Sequence, residues 1–240
     1  DEFDRSFLKL NPNIACITSM DADHLDIYGD AAALNESFIK FSNKISETLI
    51  IAKGLPLKGL TYAVNEPADY EAFNLKVESG KYSFDVKTPS SEIKNIEFHL
   101  PGQHNVMNAL AAFAMADSYG VSLETIKQRL SSFKGVKRRF TYKIKSENLV
   151  LIDDYAHHPT EINAVECSVR EMYPNENVLV VFQPHLFSRT RDFLDDFAIA
   201  LSKFDEVLLL DIYPAREVPI SGINSELLLG KITSKNKKLT

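Results

Sequence analysis

Between residues 149 and 213, three short apolar runs, LVLI, VLVVF and VLLLDIY, alternate with two stretches of helical character. The first stretch, from about Thr160, puts Ile162, Val165, Val169 and Met172 on one face, and the second covers 189–203. A strand that is apolar on both faces needs cover on both, and helices crossing between parallel strands supply it. The pattern therefore predicts a βαβαβ unit with a parallel sheet, an α/β fold.

The first half of the chain is less regular. IACIT at 14–18 reads as a strand, SMDADHLD as a polar loop, and a helix follows with Leu34, Phe38, Phe41 and Ile45 on one face. TLIIA at 48–52 reads as a second strand. AFNLKVESGKYSFDVK alternates around Ser79-Gly80 in the manner of a β-hairpin, so a β-rich insert is expected over 61–100. PGQHNVMNALAAFAMADSYG then opens on Pro and Gly, runs as an Ala-rich helix and stops at Gly120. Ser122 can cap the next helix, whose apolar face includes Ile126 and Leu130. The basic turn GVKRRF follows at 135–140, and the domain boundary is placed after it, giving domains 1–140 and 141–240. The final SKNKKLT reads as a polar, exposed tail.

Composition narrows the class. The chain has 240 residues, 45% of them hydrophobic and 25% charged, and a formal net charge of -6. No run approaches the roughly 18 apolar residues of a membrane span, and the acidic balance argues against nucleic acid as partner. The two cysteines, Cys16 and Cys167, form neither a CxxC pair nor a disulfide framework, so a reducing, cytoplasmic setting is expected. DEFDRSFLKL has no initiator Met and no signal-peptide core, and reads as an internal start.

Polar residues collect after each predicted strand of the second half. Asp153, Asp154, Tyr155, His157 and His158 follow the first; Gln183, His185, Arg189 and Arg191 the second; Asp211, Tyr213, Arg216 and Glu217 the third. Ligands bind at the carboxyl ends of the strands in such sheets. Any one group could be a solvated loop or a helix cap, but three at one edge point to a site. In the first half, Asp21, Asp23, His24 and Asp26 suit a divalent cation holding phosphate oxygens, and equally suit an acidic turn capping a helix. Asn105 and Asn108, three apart on the Ala-rich helix, read as caps or packing residues, and GVKRRF as a phosphate grip or a solvated basic face.

In order along the chain, DADHLDIY, GQHNVMNALAAFAMA, FKGVKRRF, DDYAHHPTEI, FQPHLFSRTRD and YPAREVPISG resemble the Mur ligases of bacterial peptidoglycan synthesis. The resemblance implies three domains, of which 1–140 would be the latter part of the central ATP-binding domain and 141–240 most of the Rossmann-like C-terminal domain. The P-loop and a metal-bridging Glu would lie before Asp1; the 240 residues hold no GxxxxGK[ST]. ATP and Mg2+ are implied as cofactors, and a cytoplasmic role in cell wall biogenesis, cell shape and cell division. DDYAHHPTEI with FQPH and SRTRD resembles the members that add the first amino acid of the stem peptide, which implies UDP-N-acetylmuramate and L-alanine as substrates.

Motif by motif, the resemblance implies His24 as the magnesium ligand near the γ-phosphate, Asn108 as an adenine contact and Arg139 as an ATP contact that neutralises charge in the reaction. Asp154 would hold the ribose, and Tyr155, His157 and Arg189 the incoming amino acid and its carboxylate. His157 is either a general base or a positioning group. The pattern departs at Leu186, where some relatives carry Arg. The implied mechanism is phosphorylation of the muramate carboxylate followed by amine attack on the acyl phosphate. Three other readings remain: a sister ligase that attaches a recycled peptide, a zinc hydrolase using His24, His157, His158 and His185, and a non-catalytic nucleotide-binding module.

Overall fold

The computed structural model describes residues 4–21, 25–78 and 81–239. The chain divides into two compact units, residues 1–135 and 136–240, so the division precedes Arg138, Arg139 and Phe140 of the basic turn.

The first unit opens with a 3-10 turn, Ser6–Lys9, and continues through β1 (Ile14–Ile17), α1 (Leu25–Tyr28), α2 (Ala31–Ser42), β2 (Thr48–Ala52) and β3 (Leu60–Val64). Then come β4 (Tyr70–Glu78), β5 (Lys81–Lys87), β6 (Glu92–Phe98), α3 (Gln103–Ser118) and α4 (Leu123–Ser131). The strands form one six-stranded sheet in sequence order, parallel from β1 to β4 and antiparallel from β4 to β6. The expected insert over 61–100 is therefore not an insert. Alternation of Tyr82, Phe84 and Val86 on β5 and the burial of Ile93, Ile96 and Phe98 on β6 bring these strands into the same core as β2 and β3. The Ser79-Gly80 turn expected between β4 and β5 lies outside the described residues.

Helix α3 buries Val106, Leu110, Phe113 and Ala114 in that core. Its small residues permit close approach to the sheet, and truncating the fully buried Phe113 to Ala would cost about 3–5 kcal/mol. Tyr119 caps α3 and Gly120 follows at φ 91°, a conformation glycine takes without strain. Ser122 accepts the Thr125 N–H to start α4, as its position predicts.

The second unit contains β7 (Thr141–Lys145), β8 (Val150–Asp153), α5 (Pro159–Met172), β9 (Leu179–Phe182), α6 (Phe187–Asp192) and α7 (Leu194–Leu201). It closes with β10 (Glu206–Leu209), α8 (Ser225–Lys231) and β11 (Asn236–Leu239). The parallel sheet is three-stranded, β11-β10-β9; its helices bury Phe197, Leu201 and Leu228, with Ile232 just after α8, against Phe182, Val207 and Leu209. Three details differ from the sequence pattern. β8 pairs with β7 as an antiparallel ribbon, joined by a turn in which Ser146 N–H donates to the Leu149 carbonyl. The expected tail supplies β11. The expected helix 189–203 is two helices, broken at Phe193, where φ −116° and ψ 25° leave the helical region.

Candidate functional site

The loop after β8 is shaped by its own polar groups. His158 caps α5, accepting the Thr160 N–H at Nδ1, and Pro159 occupies the first helical position, where no N–H is needed. Glu161, in the first turn of α5, reaches back to accept the His157 N–H at 2.9 Å and meets Arg139 Nη1 at 3.3 Å. Burial pushes the Glu161 carboxyl up, but the His157 N–H and imidazole and the Arg139 guanidinium outweigh it and hold the group below the ordinary glutamate value. Asp154 uses both oxygens on backbone: Oδ2 accepts the Phe140 N–H at 2.7 Å and Oδ1 the Ala156 N–H at 2.8 Å. The basic turn is thereby fastened beside this loop, with the Arg138 and Arg139 guanidinium carbons 4.7 and 5.7 Å from the centre of the Tyr155 ring. Such a cation over an exposed tyrosine is worth about 0.5–1 kcal/mol.

The three strand-end loops meet through a row of four rings. Tyr155 lies 5.1 Å from His157, His157 6.4 Å from His185, and His185 5.6 Å from Tyr213, the last pair stacked at 23°. His185 and Tyr213 form a parallel bridge, with Leu186 N–H donating to the Tyr213 carbonyl and Tyr213 N–H to that of Pro184. Leu186 takes φ 71°, rare for a bulky residue; such conformations persist where the surroundings impose them. One turn on, Arg189 is only 5% exposed, and its Nη1 stands 3.5 Å from His185 Nδ1. Burial lowers the His185 pKa, and the charges of Arg189, His157 and Arg216 lower it further against the opposing effect of Glu217. Glu217 accepts from the Ser188 N–H at 3.0 Å and from its hydroxyl, tying the loop after β10 to the start of α6. Gln183 donates to the Asp211 carbonyl at 3.2 Å, and Arg191 pairs with its neighbour Asp192.

The first unit carries the remaining candidates. Asn108 is exposed on α3, while Asn105 donates to the Pro101 carbonyl, just ahead of the helix, at 2.7 Å; α3 itself has no side-chain cap. His24 and Asp23 lie outside the described residues, and of the acidic group only Asp21 has a described side chain. Among the described residues no group of three His, Cys, Asp or Glu side chains could hold a metal ion. The His158 ring packs on Phe193 with centroids 4.8 Å apart, and among the described residues His157, His158 and His185 form no group that could hold a metal ion; His24, the fourth ligand of the zinc-hydrolase reading, lies outside them. A groove of about 810 Å3 in this unit, lined by residues such as Ile39, Leu49, Leu57 and Lys58, contains none of the candidate residues.

A pair of α/β units, one of them gathering histidine, arginine and carboxylate at the carboxyl ends of its parallel strands, defines an α/β protein whose polar groups collect where sheets of this kind bind ligands. The model of the Mur ligase middle domain matches residues 3–116, and that of the Mur ligase, glutamate ligase domain matches 138–238; the chain belongs to the Mur ligase family. It is 62% identical over 241 residues to the UDP-N-acetylmuramate–L-alanine ligase of Flavobacterium psychrophilum, covering 100% of this chain and 54% of the relative. The corresponding ligase of Christiangramia forsetii is also 62% identical, over 100% of this chain and 53% of its own length. The crystal structure of the UDP-N-acetylmuramate–alanine ligase MurC from Thermotoga maritima superposes with a TM-score of 0.79 at 27% identity, over 100% of this chain and 54% of that one. The chain spans about half the length of the curated relatives it matches. No helix among the described residues is long and apolar enough to cross a membrane.

Tyr155, His157, His185, Arg189, Tyr213 and Glu217, which the sequence places after its apolar runs, come to one edge of the second unit. Glu161 has no comparable mark in the sequence pattern beyond its spacing, three residues after a histidine cap, which is that of a capping box. In the sequence Arg138 is only one member of a basic cluster; in the structure it lies nearer Tyr155 than Arg139 does.

Proposed function

We propose that the protein to which these two units belong joins L-alanine to UDP-N-acetylmuramate with ATP, through an acyl phosphate. A carboxylate oxygen of the muramyl group attacks the γ-phosphorus and ADP departs. The alanine amine then attacks the acyl carbon, inorganic phosphate departs, and the nitrogen gives up a proton. The observation that carries this reading is the buried Arg189 beside His185 at the meeting of three strand-end loops, a fixed cation suited to a small carboxylate. The names of the closely similar relatives supply the substrates.

In this reading Arg139 and the exposed Asn108 contact ATP, and Asp154 contacts its ribose with lone pairs left over from its two backbone bonds. Tyr155 and His157 line the amino-acid side. Magnesium, with His24 as its implied ligand, would supply charge neutralisation on phosphate oxygens. The test is an ADP-release assay on a chain extended to the full length of its relatives, with UDP-N-acetylmuramate and ATP. Release that depends on L-alanine is expected. Dependence on a peptide instead would select the sister ligase, and nucleotide binding without turnover would select the non-catalytic module.

A further inference from the structure

Glu161 stands in the first turn of α5, behind the cap His158, and turns back toward the residue before the cap. A glutamate so placed ordinarily serves a helix-terminal N–H, and Oε2 does this for His157. The same oxygen is also 3.3 Å from His157 Nδ1, and that nitrogen is 2.9 Å from the Tyr155 carbonyl oxygen. A carbonyl and an ionised carboxylate only accept. A neutral imidazole with its lone pair at Nδ1 would face two acceptors and be repelled by both, so the proton belongs on Nδ1. The lone pair then lies on Nε2, in a side chain that is 27% exposed and whose ring centre is 6.4 Å from that of His185.

We propose that Glu161 is a positioning residue: with the Tyr155 carbonyl it holds His157 as the Nδ1–H tautomer, so that Nε2 takes a proton from the ammonium group of the incoming amino acid. The identity of that proton donor rests on the ligase reading above. One ammonium N–H bond breaks, its electron pair stays on nitrogen as the nucleophilic lone pair, and an N–H bond forms at Nε2. The resulting imidazolium keeps its Nδ1–H against a carboxylate of opposite charge. Around the pair stand Tyr155 on the same loop, Arg139 across Glu161, and His185 with its neighbours Arg189, Arg216 and Glu217.

Nitrogen-15 NMR of the histidine-labelled 240-residue chain, with the His157 signals assigned by their loss in His157→Asn, reads the tautomer directly. The expected neutral form carries its proton on Nδ1, the reverse of the form a free histidine side chain prefers. Glu161→Gln keeps an acceptor for the His157 N–H but removes the charge, and should shift the population toward Nε2–H. In a full-length active ligase the same variant should lower kcat about ten- to a hundredfold with little change in the amino-acid KM. An Nε2–H imidazole in the unmutated chain, or a tautomer indifferent to Glu161→Gln, overturns the proposal while leaving the ligase reading intact. An Nδ1–H tautomer that responds to Glu161→Gln, in a full-length protein without ligase activity, supports the pairing and overturns the ligase reading instead.

Discussion

Asp154 Oδ2 accepts the Phe140 N–H at 2.7 Å, so the carboxylate at the end of β8 holds a turn in which Arg138 and Phe140 both have positive φ, 60° and 47°. Hydrogen bonds to a charged acceptor contribute about 1.5–3 kcal/mol each, and two converge here. Asp154→Ala should therefore loosen the basic turn before any ligand is considered. Faster hydrogen exchange at the Phe140 and Ala156 amides is the expected readout; unchanged protection at both would show that the turn holds its shape without the carboxylate.

Arg189→Ala, in a full-length active ligase, should raise the L-alanine KM about ten- to a hundredfold, the loss of one charge-assisted pair, with the ATP KM nearly constant. Arg189→Lys should recover only part of the loss, because an ammonium lacks the planar fork. Steady-state kinetics with one substrate varied at a time decides it, and an unchanged alanine KM would remove Arg189 from the acceptor site.

Burial pushes the Cys16 thiol up to about 11, whereas Cys167 is exposed. At pH 8 a thiol reagent should titrate one cysteine quickly and the other slowly. Cys167→Ser should abolish the fast phase; a fast phase that survives it would show that Cys16 is reachable.

The Glu161 carboxyl has its pKa held below the ordinary 4.5 in the folded chain, so its contribution to stability is present above that value and is lost as pH falls through the folded pKa. The denaturant midpoint of the second unit should fall as pH drops below about 4.5, and fall less steeply in Glu161→Gln. Parallel curves for the two proteins would show that the carboxylate is not linked to folding.

The 240 residues contain no GxxxxGK[ST], the loop that cradles phosphates in P-loop enzymes. By themselves they should release no ADP in response to L-alanine and UDP-N-acetylmuramate. A coupled assay that rises above its no-enzyme control would contradict this.

How far the sequence anticipated this structure varies with how local each signal is. The caps at Ser122 and the stop at Gly120 depend on residues within one turn, and both occur where the sequence places them. Strand partnership is not local. LVLI looks like a central parallel strand, yet TYKIK alternates well enough to pair with it as a ribbon, leaving Leu149 and Leu151 exposed. The polar NKKL became β11 because an edge strand tolerates lysines facing water. Helix 189–203 broke because Phe193 gives up helical geometry in the segment where its ring packs on His158. The gathering of His185, Arg189 and Glu217 was legible because parallel order sends the loops after β9 and β10 to one edge; that Tyr155 and His157 join them was not explained by strand order, since β8 lies in a separate ribbon with β7. The role of Glu161 was not, since it needs the distance from its carboxylate to a particular ring nitrogen.

The sheet of the first unit has one further consequence. Every strand from β1 to β6 pairs with its neighbour in sequence, and β4, β5 and β6 form an antiparallel meander with short connections. Loop-closure entropy rises with the length of chain between partners, so these last pairings carry the smallest kinetic penalty in the unit. During synthesis, each strand of this sheet would meet its partner already made. The order of the sheet thus permits assembly in the direction of translation, with α3 and α4 arriving last to close the core.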